Sequence, residues 1–69
     1  MERIPVASSN LSSIGYDSAS QTLEIEFKDG NIYQYFDVPN SQHLQLMDSG
    51  SIGTFFSANI RNSYRYARL

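Results

Sequence analysis

Leu23-Glu24-Ile25-Glu26-Phe27-Lys28-Asp29-Gly30-Asn31-Ile32-Tyr33-Gln34-Tyr35-Phe36-Asp37-Val38 is the stretch on which the fold turns. Over 23–27 apolar and charged residues alternate with the period of a half-buried strand, which predicts one apolar face and one wet face carrying Glu24 and Glu26. Asp29-Gly30 lies between this run and a second strand-like run, a strong signal for an antiparallel hairpin. Two turns compete, and a slip of one residue would move every side chain to the other face. A two-residue loop sets Phe27 opposite Ile32 and Leu23 opposite Phe36, leaving Tyr33 and Tyr35 beside the glutamates. A three-residue loop with Gly30 left-handed sets Ile25 opposite Tyr33 and Leu23 opposite Tyr35, bringing both tyrosines inward. The second is favoured because it turns Gln34 outward instead of placing it opposite Ile25 in the core.

Upstream, Ser12-Ser13-Ile14-Gly15-Tyr16 reads as another strand of the same meander, followed by the turn residues Asp17-Ser18-Ala19-Ser20. Ile4-Pro5-Val6 carries a proline and suits only a sheet edge or an extended lead-in. Downstream of Val38-Pro39 the period changes. Asn40 or Ser41 is expected to cap a helix on which His43, Leu46 and Met47 share a face, ending by Ser49-Gly50. Ile52, Phe55, Phe56, Asn59 and Ile60 then mark a second helix, with Gly53 placed to permit close approach of a neighbour. Residues 61–69 either extend that helix or fold back as a tail, since Asn62-Ser63 makes a break reasonable. The expected fold is α+β: an antiparallel three- to four-stranded meander followed by two short helices packed on one face, as a single domain over residues 1–69.

A chain of 69 residues with no cysteine and one histidine has neither disulfides nor a metal staple to help it, so packing must hold it together. Five Tyr and four Phe, with no Trp, make that packing aromatic. The start Met1-Glu2-Arg3-Ile4-Pro5 is unlike a signal peptide, and no run approaches a membrane span. Together with the absence of cysteine this leads to an expected cytoplasmic location.

The charge is uneven. Residues 1–48 hold seven acids against Arg3 and Lys28, a balance of 2 − 7 = −5, whereas 49–69 hold Arg61, Arg65 and Arg68 and no acid, +3. Cations near the end of a last helix oppose its dipole, which is the plain reading of that excess.

No residue set points to catalysis. One His without Cys cannot make a usual metal site, and the serines sit in caps and turns. Glu24 and Glu26, about 7 Å apart along a strand, read as the solvated side of a sheet. Gly50 and Gly53 lack the lysine of a phosphate loop. A non-enzyme without cofactor or metal is expected. The constellation with functional content is aromatic and basic: Tyr33, Tyr35, Arg61, Tyr64, Arg65, Tyr66 and Arg68. Rings stack bases while cations follow a phosphate backbone, so RNA or single-stranded nucleic acid is the first expected partner. Another protein, bound at a strand edge or apolar patch, is the second.

The ordered set Val6, Ser8, Ser9, Ser13-Ile14-Gly15-Tyr16-Asp17, Leu23, Phe27, Gly30, Tyr33-Gln34-Tyr35, Val38-Pro39, Leu46-Met47, Gly53, Phe56, Ile60 and Tyr64 resembles the KTSC domain family over nearly the whole chain. That family occurs as stand-alone bacterial proteins and at the C-terminus of some lysyl-tRNA synthetases. Its role is unsettled, and the resemblance implies RNA binding only through that attachment to a tRNA-handling enzyme. The chain departs from the family pattern at His43, where an aromatic is typical, at Gln42, where an apolar residue is common, and at Ser57, where Asn usually follows the Phe.

Overall fold

In the computed structural model, which describes residues 1–69, the central hairpin takes the three-residue loop. Ile25 lies opposite Tyr33 and Leu23 opposite Tyr35, and Gly30 adopts φ +93°, a conformation L side chains resist. The two strands are β3 (Thr22–Phe27) and β4 (Ile32–Tyr35), preceded by β1 (Arg3–Pro5) and β2 (Leu11–Asp17). Helices α1 (Asn40–Met47) and α2 (Ile52–Asn59) follow, and the chain ends in β5 (Tyr66–Arg68).

All neighbouring strands pair antiparallel in the order β1-β2-β3-β4-β5. The α+β meander is as expected, with five strands instead of three or four. β5 is the addition: of the two alternatives the last residues take the fold-back, and they zip along β4 with Tyr66 opposite Tyr35 and Arg68 opposite Tyr33. Backbone bonds from Phe36 N–H to Arg65 O and from Leu69 N–H to Ile32 O close both ends of that pairing.

β2 contains a register shift between Leu11 and Ser13. The extra residue lets Leu11 and Ile14, three apart in sequence, both point to the side on which the helices lie. There they join Leu23, Ile25, Tyr35, Val38, Leu46, Phe56 and Ile60 in one buried cluster. Phe56 is its keystone, fully buried with edge-on contacts to Phe27 and Tyr35 at 5.7 and 5.4 Å between ring centres.

α1 is not capped by Asn40 or Ser41. The N-cap position is Pro39, whose carbonyl accepts from Gln42 and His43, and no side chain caps the helix. Extended Pro39 (φ −66°, ψ 152°) delivers the chain straight into the first turn, which draws Asn40 and Ser41 inside the helix. Gly53, in the first turn of α2, has the loop of Ser8 and Asn10 against it: a β-carbon there would lie 2.8 Å from Asn10 Oδ1 and 3.0 Å from Ser8 Oγ.

The opposite sheet face is not simply wet. Glu24 is 5% exposed, paired with Arg3 and accepting 2.8 Å from Gln34 Nε2. Arg3 also donates to Ser13 Oγ at 3.0 Å, and Ser13 donates to Glu26 at 2.8 Å. The reading of both glutamates as a solvated pair therefore fails for Glu24. β1 lays Arg3 across the sheet, and Gly15 makes room, since a β-carbon there would stand 2.7 Å from the Glu2 carbonyl oxygen. Burial alone would raise the Glu24 pKa, but hydrogen bonds from Gln34 and Arg3 and the charge of Arg3 outweigh it and hold the carboxyl below its ordinary range.

Candidate functional site

Alternation along β4 and β5 puts Tyr33, Tyr35, Tyr66 and Arg68 on the helix-side face. Beyond the end of α2 that face is uncovered. Every residue of β5 is exposed, and a groove of about 360 Å³ opens between the sheet and the turn after α2. Tyr33, Tyr35, Tyr66 and Phe27 supply its rings, with Asp29 and Asn31 from the hairpin end and Arg61 and Asn62 from the turn after the helix. Arg61 N–H bonds back to the Phe56 carbonyl at 3.0 Å, which ends α2 in a wide turn and brings Arg61 to the groove.

The three tyrosines form a bowl. Ring centres are 6.4 Å apart for Tyr33 and Tyr35, 5.8 Å for Tyr33 and Tyr66, and 5.7 Å for Tyr35 and Tyr66, with Phe27 edge-on to Tyr33 at 5.4 Å. Tyr35 is the floor, 3% exposed, and Tyr66 the outer wall, 59% exposed. Burial pushes the Tyr35 phenol up, against the pull of Arg61, so it stays protonated and available as a donor near neutral pH. The bowl thus presents flat π faces, neutral hydroxyls and one guanidinium.

Tyr64 and Arg65, the other residues singled out in the sequence, stand elsewhere. Tyr64 is half-buried against the core and donates to Gln42 Oε1 at 3.1 Å, tying the tail to α1. Arg65 pairs with Asp37 at 2.8 Å and lies over the Phe36 ring at 5.5 Å. Five of the seven sequence-nominated residues therefore share one face, while Tyr64 and Arg65 serve the joint between the tail and the rest. Phe27, Asp29, Asn31 and Asn62 were not singled out. Phe27 was legible, because the three-residue turn places it inward beside Tyr33.

His43 has a packing role. Its ring stacks on Tyr16 at 4.4 Å and 10°, burial lowers its pKa, and Tyr16 in turn donates to the Val38 carbonyl at 2.6 Å. A wider and more open hollow of about 870 Å³ lies between the Ser8–Asn10 loop and the start of α2, but its walls are small polar and aliphatic residues without a ring or a charge. No group of three His, Cys, Asp or Glu residues is positioned to hold a metal ion, and no helix is long and apolar enough to cross a membrane.

Residues 7–64 match the family model of the KTSC domain. The chain is 39% identical over 70 residues to an uncharacterized protein of Stutzerimonas stutzeri, covering 100% of this chain and 99% of that one. A lysine–tRNA ligase of Trichormus variabilis is 37% identical over 54 residues, which are 78% of this chain but 10% of the ligase. The match thus leaves most of that enzyme outside, and the family model itself indicates no catalytic family. The crystal structure of a KTSC domain protein from Yersinia pestis superposes with a TM-score of 0.93 at 39% identity, covering 99% of this chain and 96% of that one. With the family model matched over most of its length and that fold shared throughout, the chain belongs to the KTSC domain family.

Proposed function

We propose that this domain is a non-catalytic binding module for single-stranded RNA, taking an unstacked base into the tyrosine bowl while Arg61 and Arg68 meet the phosphates. The observation that carries the reading is the convergence of Tyr33, Tyr35, Tyr66 and Arg61 on one groove, with Arg68 on the same face. Bases offer π faces that stack on such rings, and each stack contributes about 1–3 kcal/mol by alanine substitution. The acidic balance of residues 1–48 disfavours a broad grip on a duplex and suits a local contact at the basic end of the chain. The lysine–tRNA ligases that carry a similar segment are by their name enzymes of a tRNA, which lends this ligand class further support.

The free outer edge of β5 supports a second reading, a protein partner adding a strand there, since Tyr66 and Leu69 are 59% and 67% exposed beside it. Salt separates the two. Two phosphate contacts on a single strand give a slope of about −1.4, so affinity falls about sevenfold between 50 and 200 mM salt.

The chain has no tryptophan, so its ultraviolet emission comes from five tyrosines, three of which, Tyr33, Tyr35 and Tyr66, line the bowl. Titration with short single-stranded RNA of mixed sequence is expected to quench that emission with the stated salt dependence. Unchanged emission, or binding indifferent to salt, would contradict the reading, and strand addition by a protein would take its place.

A further inference from the structure

One acid lines the groove, where a phosphate-binding surface has no use for it. Asp29 sits at the hairpin end, and both of its carboxylate oxygens are held by one neighbour: Oδ1 accepts from Asn31 N–H and Oδ2 from Asn31 Nδ2, each at 3.0 Å. The carboxylate plane is thereby fixed, and each oxygen keeps a free lone pair. Such a fork matches a ligand edge carrying two adjacent N–H donors, as a guanidinium matches a carboxylate. Among the four RNA bases only guanine offers that edge, through N1–H and its 2-amino group. Adenine, cytosine and uracil each set an acceptor beside their donor, which would face the carboxylate and be repelled. Guanine also has an O6 acceptor next to N1, and Arg61 and Asn62 bring donors to the same groove.

Resting on the single-strand reading above, we propose that the tyrosine bowl prefers guanine, with Asp29 accepting from N1–H and the 2-amino group of a base stacked against Tyr33 and Tyr66 above the buried Tyr35. Asp29 is the residue that sets specificity, and the rings set affinity. The charge of Asp29 suits a donor-rich base and disfavours a phosphate.

The test is affinity for four pentaribonucleotides, UUGUU, UUIUU, UUAUU and UUUUU, read by tyrosine emission with the native chain. Guanine is expected to bind about tenfold more tightly than adenine or uracil, the lower part of the range for a bidentate contact, with inosine, which lacks the 2-amino group, between them. Asp29→Asn, checked for a native amide spectrum, is expected to bring the guanine and adenine probes to equal affinity. Equal binding of the guanine and adenine probes by the native chain would overturn the guanine preference while leaving the single-strand reading standing. Failure of all four to bind would remove both. A guanine preference that survives Asp29→Asn would overturn the role given to Asp29.

Discussion

Leu23 and Ile25 on β3 and Tyr33 and Tyr35 on β4 stand side by side on one sheet face, yet they end in different surroundings. The aliphatic pair is sealed beneath Phe56, Ile60 and Leu46. On the tyrosine side Tyr35 is still part of the same buried cluster, but its neighbours Tyr33 and Tyr66 continue outward into an open groove. The cause is the reach of the helices: α2 ends at Asn59, the chain turns away at Arg61, and β5, added at the sheet edge after both helices, stays exposed along its whole length. Tyrosine is the residue that tolerates the boundary, with an apolar body for the core side and a hydroxyl for water. A small fold thus obtains a concave aromatic surface from what its helices fail to cover.

Loss of packing in the sealed half has the gravest consequence. Phe56→Ala should cost about 3–5 kcal/mol, a large share of the stability of so short a chain, seen as a drop in the denaturant midpoint or as outright unfolding. In the open half Tyr66→Ala should leave that midpoint nearly unchanged, because the ring is mostly exposed, and weaken RNA by about 1–3 kcal/mol. A Tyr66→Ala chain that unfolds like Phe56→Ala would dissolve the distinction.

Acid provides a third probe, on the sealed side and on the face behind it. His43 has a lowered pKa through burial, and Glu24 one held down by Gln34 and Arg3. Each group, in the unfolded chain, takes up a proton before the folded chain does. Its contribution is therefore complete above its ordinary range and fades as pH falls toward the folded value. Thermal stability should be level above neutrality, decline as pH falls through the ordinary histidine range, and decline again through the carboxylate range. His43→Phe should remove the first step while keeping a ring against Tyr16, and Glu24→Gln should remove part of the second.

The smallest effect separates two arginines of one segment. Arg65 and Asp37 are both largely exposed, so Arg65→Ala should change stability by no more than about 1 kcal/mol and leave RNA affinity alone. Arg61→Ala should weaken RNA binding and flatten its salt slope by about 0.7.

The hairpin, its register and the inward direction of Tyr33 and Tyr35 were legible because alternation, Gly30 and the outward need of Gln34 agree. β5 was not, since Tyr66-Ala67-Arg68 is too short to carry a period, and its pairing is fixed by β4 instead of by its own pattern. The same blindness hid how near Tyr66 comes to Tyr35. Burial of Glu24 was hidden for a related reason: the cover is Arg3, brought there by β1 from more than twenty residues away. The position of Arg65 was hidden because it precedes β5 and is set by its pairing with Asp37, far away in sequence.

The decisive measurement is an amide-shift titration of the native chain with short single-stranded RNA at low salt. Shifts are expected over Phe27–Tyr35, Arg61–Asn62 and Tyr66–Arg68, with silence at α1 and the Ser8–Asn10 loop. Shifts centred on that loop and the start of α2, or none anywhere, would rule out the tyrosine bowl as the RNA site.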